Sequence, residues 1–149
     1  DWRGLWDVNI PCRRQLVAMG SGANCDYSNV NLAGVNLRGG DFSHATFHHC
    51  DLSNADLREG IFAHADFRNA KLDGARFTYS ALVGAQFDGA NLHGAIFQHG
   101  NLRDATFLDA DIGGADFNDA VVLEGSTWEG SKVHTAHFPR SFTFRPAAG

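Results

Sequence analysis

From Tyr27 to Val122 every fifth residue is large and apolar, twenty places in succession. The segment IFAHADFRNAKLDGARF shows the pattern at Phe62, Phe67, Leu72 and Phe77. An α-helix repeats every 3.6 residues and a strand every 2.0, so neither accounts for it. At 44% hydrophobic content, an unbroken run of this length is no accident of composition. A fixed period has to be read before any single motif.

Two positions before each large residue stands a small one: Cys25, Val30, Val35, Gly40, Ala45, Cys50, Ala55, Gly60 and so on to Ala120. Residues two apart in an extended segment point to one side. The small and the large residue therefore both point inward, the residue between them points out, and the remaining two turn a corner. Each unit of five forms one short side of a coil whose turns stack at strand spacing, about 4.8 Å.

Units such as Ala55-Asp56-Leu57-Arg58-Glu59, Ala65-Asp66-Phe67-Arg68-Asn69 and Ala90-Asn91-Leu92-His93-Gly94 resemble pentapeptide repeats of the A-(D/N)-(L/F)-x-x type. The resemblance runs from residue 23 to about 122. It implies an all-β fold, a right-handed quadrilateral parallel β-helix of about five to six four-sided coils. Sorting every fourth centre into columns is consistent with twenty residues per turn. One column reads Tyr27, Phe47, Phe67, Phe87, Phe107, and the next Leu32, Leu52, Leu72, Leu92, Ile112. The third is Leu37, Leu57, Phe77, Phe97, Phe117, and the fourth Phe42, Phe62, Leu82, Leu102, Val122. Like stacks on like, as a continuous solenoid core favours.

The ends require caps, because an open coil exposes core and strand edges. Residues 1–22 are expected to form the N-terminal cap. "IPCRRQLVAMG" reads as a short helix with Pro11 at its first position, Gly20 just past its end, and Cys12, Leu16 and Met19 on the core face. Residues 23–122 form the repeat, and 123–149 a last coil and C-terminal cap. There the register slips by one, with Leu123, Trp128, Val133 and Phe138 in a new phase. In the family such ends cap the coil or pair with a second copy, which makes a homodimer through this coil an expectation.

Chain length fits one domain, and no apolar run is long enough to span a membrane as a helix. The chain begins with Asp1 rather than Met, and "DWRGLWDVNI" is unlike a signal peptide. It therefore reads as a processed organellar or exported protein, or as a fragment. Cys25 and Cys50 are read first as small apolar fillers at the inward position. The alternative is a Cys12–Cys25 bridge, which would imply an oxidising compartment. His44, His64, His48 and His49 have the chemistry to hold zinc or copper, but at outward and corner places they read as solvated surface. No metal site and no cofactor are expected. No phosphate loop, nucleophile elbow or His-Glu-x-x-His motif is present, and a filled coil leaves no substrate pocket. The expectation is a protein without catalytic residues.

What remains is surface. Relatives in the family include DNA mimics that bind topoisomerases in place of duplex, and scaffolds. The mimic reading rests on an acidic side carrying Asp26, Asp66, Asp88 and Asp109, offset by Arg68. Residues 21–120 carry thirteen acids and six bases. DNA along five turns would carry about fourteen negative charges at one per ≈ 1.7 Å, so the field is weak. The reading preferred here is a non-catalytic scaffold or accessory subunit that docks a protein partner. Its candidate contact is an apolar patch of Ile61, Ala63, Ala81 and Val83, with a weaker cluster at Tyr79 and Ile96. The alternative for the patch is that such residues merely suit a strand surface. Direct nucleic-acid binding is not expected.

Overall fold

In the computed structural model, which describes residues 4–119 and 122–142, the chain opens with a 3-10 turn, Leu5–Asp7, and helix α1, Ile10–Met19. The helix ends as its sequence predicts and begins one residue before Pro11. Asn9 caps the N-terminus by accepting from Cys12 N–H, Pro11 lies in the first turn, and Gly20 closes the helix at φ 60°. From there the described residues coil on themselves in parallel as far as His137.

Pairing falls on one residue in five. Asp26 bridges Thr46, Thr46 bridges Asp66, Asp66 bridges Gln86, and the other sides repeat the same offset of twenty as far as Ile96–Asp116. The fold is thus a parallel β-helix whose sides are single bridged residues joined by turns. The unit Asp66–Ala70 shows what holds it. Asp66 N–H donates back to Ala45 O (2.9 Å), while Phe67 and Asn69 N–H donate on to Gln86 O (2.7 Å) and Asp88 O (3.0 Å). Ala70 N–H closes a tight turn onto Phe67 O (3.0 Å). Arg68 N–H, which has no carbonyl in reach of the ladder, donates to Asp66 Oδ1 (2.9 Å). All five N–H groups are satisfied, as buried backbone requires.

That last bond explains the Asp or Asn of the repeat. The same contact recurs from Asn31 to Ala33, Asn36 to Arg38, Asp41 to Ser43, Asp51 to Ser53, Asn91 to His93 and Asp116 to Asn118. A short polar side chain bonds its own backbone two residues on, the habit of Asn and Asp in turns. The turn itself needs a positive φ at its third residue, the signature of a type II turn. Asn29, His44, Asn54, His64, Asn69 and Asp109 supply it at φ between 56° and 65°, with glycine at most other corners.

The core is a set of ring stacks. Phe47, Phe67, Phe87 and Phe107 lie on one another at 4.9–5.0 Å and within 9° of parallel. Phe77, Phe97 and Phe117 form a second stack at 4.7–5.0 Å. Rings of neighbouring columns meet edge to face, as Phe67 and Phe77 do at 5.6 Å. All are fully buried. In the column of Phe42 and Phe62 the ring leaves no room for a side chain two places before it: a Cβ on Gly60 would lie 2.4 Å from the Phe62 ring. Where Leu82 replaces the ring, Ser80 fits and donates to Leu57 O (2.8 Å).

Three expectations are corrected. Cys25 is no free filler: it is disulfide-bonded to Cys12, which fastens α1 to the first turn. Cys50 remains the small apolar residue expected, and burial pushes its thiol pKa up. Met19 does not face the core; it is 73% exposed, and Leu16 alone of α1 is buried. One residue enters the ladder earlier than the sequence suggests. Val122 bridges Asn101, so it points outward and Leu123 takes the column above Leu102. The later bridges Thr106–Thr127, Asp111–Lys132 and Asp116–His137 keep this offset of twenty-one. Ala120, the last small residue of the repeat, lies outside the described residues.

Candidate interaction surfaces

The apolar patch assembles as its spacing demands. Ile61 and Ala81 are bridged neighbours on one side. Ala63 O and Val83 O accept from the corner N–H groups of His44 and His64 in the turns before them, so Ala63 and Val83 stack in the next row. Ile61 is 44% exposed, and Ala63, Ala81 and Val83 are half-buried. Asp41 and Asn101 bound the patch along the ladder. Tyr79 and Ile96 have different neighbours. Tyr79, 63% exposed, stacks on His99 at 4.7 Å, whereas Ile96 sits half-buried between Arg76 and Asp116.

The acidic side is largely committed to the coil. Asp26 accepts from Ser28 N–H, and Asp88 from Leu108 N–H in the following turn. Asp66 accepts from its own turn and takes a bidentate grip from Arg68, at 2.9 and 2.8 Å. Burial disfavours its charge, yet the Arg68 bonds outweigh that and hold the carboxyl below its usual range. Asp109 is exposed at a corner with φ 56°. A shallow groove runs through this side past His48, Arg68, Asn69, Asp88 and Asp109. Arg68 sits among its carboxylates and interrupts the anionic field.

The histidines take the outward corners. His44 and His64 stack at 5.2 Å, and His48 lies 3.2 Å from Asn69 Nδ2. Among the described residues no group of three or more His, Cys, Asp or Glu converges as for a metal ion. A surface the sequence did not announce lies on the N-terminal cap. Trp6, Val17 and Ala18 with Arg13 and Arg14 line an apolar groove, and the Arg13 guanidinium lies 4.6 Å over the Trp6 ring. Its apolar residues have no period, so only the packing of α1 reveals which face is left outside. No helix among the described residues is long and apolar enough to cross a membrane.

Two family profiles match this ladder of units. The pentapeptide repeat region profile matches residues 23–97, and that for pentapeptide repeats in eight copies matches 85–122. The chain belongs to the pentapeptide repeat family. Among solved structures it is similar to a pentapeptide repeat protein from the thylakoid lumen of Arabidopsis thaliana. That pair shares 27% identity over 72% of each chain, with a TM-score of 0.54. It also resembles QnrB1, a plasmid-mediated fluoroquinolone resistance protein, at 21% identity over 79% of this chain and 69% of that one (TM-score 0.44). HetL of the cyanobacterium Nostoc sp. strain PCC 7120, involved in heterocyst differentiation regulation, is similar at 20% identity over 80% and 76%, TM-score 0.34. These two likenesses are of fold alone. No curated protein matches the chain.

Proposed function

We propose that this pentapeptide repeat protein is a non-catalytic scaffold or accessory subunit that docks a protein partner on the side carrying Ile61, Ala63, Ala81 and Val83. The coil is read as right-handed and four-sided, five to six coils long, with one flat side per column. The observation that carries the reading is the stacking of these residues across adjoining turns, with Ile61 and Ala81 at positions where most units place Asp or Asn. Ile61 and Ala81 cannot bond the turn two residues on, so each gives up the bond that Asp41 supplies to Ser43. Apolar groups that cost the coil a turn bond and remain exposed are best explained by a partner that covers them.

The same bonds weigh against a DNA mimic. Asp26, Asp66 and Asp88 already accept backbone N–H groups, and Arg68 neutralises Asp66. The filled ring stacks likewise support a protein without an active site. A homodimer through the last coil is proposed as a second contact, separate from this side.

The test is Ile61→Arg with Val83→Glu. Surface changes usually move stability by no more than about 0.5 kcal/mol, so melting should hold. Proteins crosslinked to the wild-type chain in its native source should no longer be captured. Unchanged capture with unchanged melting would show the patch to be plain strand surface.

A further inference from the structure

We propose that the Cys12–Cys25 bond is a redox latch on the N-terminal cap, so that a dithiol reductant frees α1 and uncovers the first turn of the coil while the rest stays folded. Among the described residues the cap is held by little else. Val8 and Leu16 are its fully buried side chains, Leu5 and Cys12 are partly buried, and Ile10, Val17, Met19 and Trp6 face solvent. The polar tie is long: Tyr27 Oη donates to Cys12 O at 3.4 Å. The coil below is built of short bonds repeated in every unit. Local stability differs accordingly, and the element with the fewest buried contacts opens first.

The two sulfurs differ in access. Cys25 is 4% exposed at the inward position, and Cys12 lies partly buried on the helix. A reductant thiolate attacks Cys12 Sγ, the S–S bond breaks, and Cys25 leaves as the thiolate. The second thiol of the reductant then resolves the mixed disulfide, leaving two cysteine thiols here and one disulfide on the reductant.

The uncovered face has a definite character. In later turns Thr46, Asp51 and Asp56 N–H donate back to Cys25, Val30 and Val35. By the same geometry Asp26, Asn31 and Asn36 N–H face the cap. Gly4 passes over this edge, where an added Cβ would lie 3.2 Å from Asn29 O and 3.3 Å from Val30 Cα. Release of the cap presents a strand edge above the Tyr27 ring, a template for pairing with another strand.

The experiment is limited trypsin digestion of the full chain, with and without dithiothreitol, beside circular dichroism. Arg13 and Arg14 on α1 are the reporters. Reopening a loop of thirteen residues should raise cap opening roughly a hundredfold, so cleavage after Arg13 or Arg14 should quicken by one to two orders of magnitude. The β signal should persist. Cys12→Ala with Cys25→Ala, which gives position 25 the residue found at Ala45 and Ala65, should be cleaved at the reduced rate and ignore the reductant. Unchanged cleavage on reduction would overturn the latch, since packing alone would then hold the cap. Loss of the β signal together with the cap would overturn it too, because the bond would then staple the whole fold.

Discussion

The indole of Trp128 lies flat on the Phe107 ring, with centroids 4.1 Å apart and planes 2° from parallel. The two residues are 21 positions apart, whereas Tyr27–Phe47, Phe47–Phe67, Phe67–Phe87 and Phe87–Phe107 are each 20 apart. The coil thus absorbs an extra residue without breaking its stack. Phe138 does the same above Phe117, at 5.1 Å, and Phe142 then covers both new rings. The larger indole, added to the end of a Phe column, closes the core where no further turn follows among the described residues.

Trp128→Ala should therefore loosen the last turn more than the middle of the coil. Removing a buried Trp costs about 3–5 kcal/mol, and stability in a stacked array is largely local. Hydrogen exchange should quicken at Thr127, Lys132 and His137, whose N–H groups bond Ala105, Ala110 and Ala115. It should change little at Asp66 and Lys71. Equal acceleration throughout would mean the coil unfolds as one unit.

Phe67 tests the inward frame directly. It is fully buried between Phe47 and Phe87. Phe67→Asp should cost more than about 4 kcal/mol, since a buried unpaired carboxylate finds neither water nor a partner. Phe67→Leu should cost about 1–2 kcal/mol. Melting followed by circular dichroism separates the two.

Gly60 and Phe62 should behave as a coupled pair. Gly60→Ala drives a Cβ to 2.4 Å from the Phe62 ring and should cost about 1–3 kcal/mol. Adding Phe62→Leu makes the room that Leu82 leaves for the Cβ of Ser80 in the next turn, so the double variant should be more stable than the sum of the singles predicts. Simple additivity in urea titrations would show that the clash does not set the glycine.

The acid limb of stability should report Asp56. The Arg58 side chain grips it at 2.8 Å, backed by Arg76, and these bonds bring its carboxyl pKa down to about 2. Its pKa is lower folded than unfolded, so its contribution is complete above about pH 4 and is lost as pH falls toward 2. Asp56→Asn should remove about 1–2 kcal/mol at pH 7 and flatten the decline over that window. A decline as steep as in the wild type would assign the acid transition to other carboxylates.

Much of this architecture is legible in the chain because period and size are. Phe67 and Leu72 reveal inward positions by spacing alone, and their columns foretell which rings stack. Most positive-φ corners are also on display, as Asn, Gly, His and Asp, a preference set by the cost of a left-handed Cβ. Two features were hidden. Cys25 occupies a place where a filler and a bridge look alike, so spacing alone left its pairing with Cys12 open. The groove at Trp6 and Val17 arises from which way α1 turns, and a helix with apolar residues on several faces does not declare that.

Tyr79 breaks the corner rule, and that singles it out. It holds φ 60°, where a bulky side chain costs about 1–2 kcal/mol relative to the right-handed region, while Gly39 occupies the same corner two turns earlier. Glu59 and His99 fill the neighbouring turns at the same φ, and Tyr79 spends its ring on a stack with His99 in the open. Strain kept without core packing points to use at the surface. Tyr79→Gly should leave melting within about 1 kcal/mol of wild type, strain relief and added chain entropy nearly offsetting each other. It should weaken whatever the crosslinking recovers on the neighbouring Ile61–Val83 side. A large loss of stability in Tyr79→Gly would show instead that the ring stack with His99 holds the corner, and the surface role would pass to Ile61 and Val83 alone.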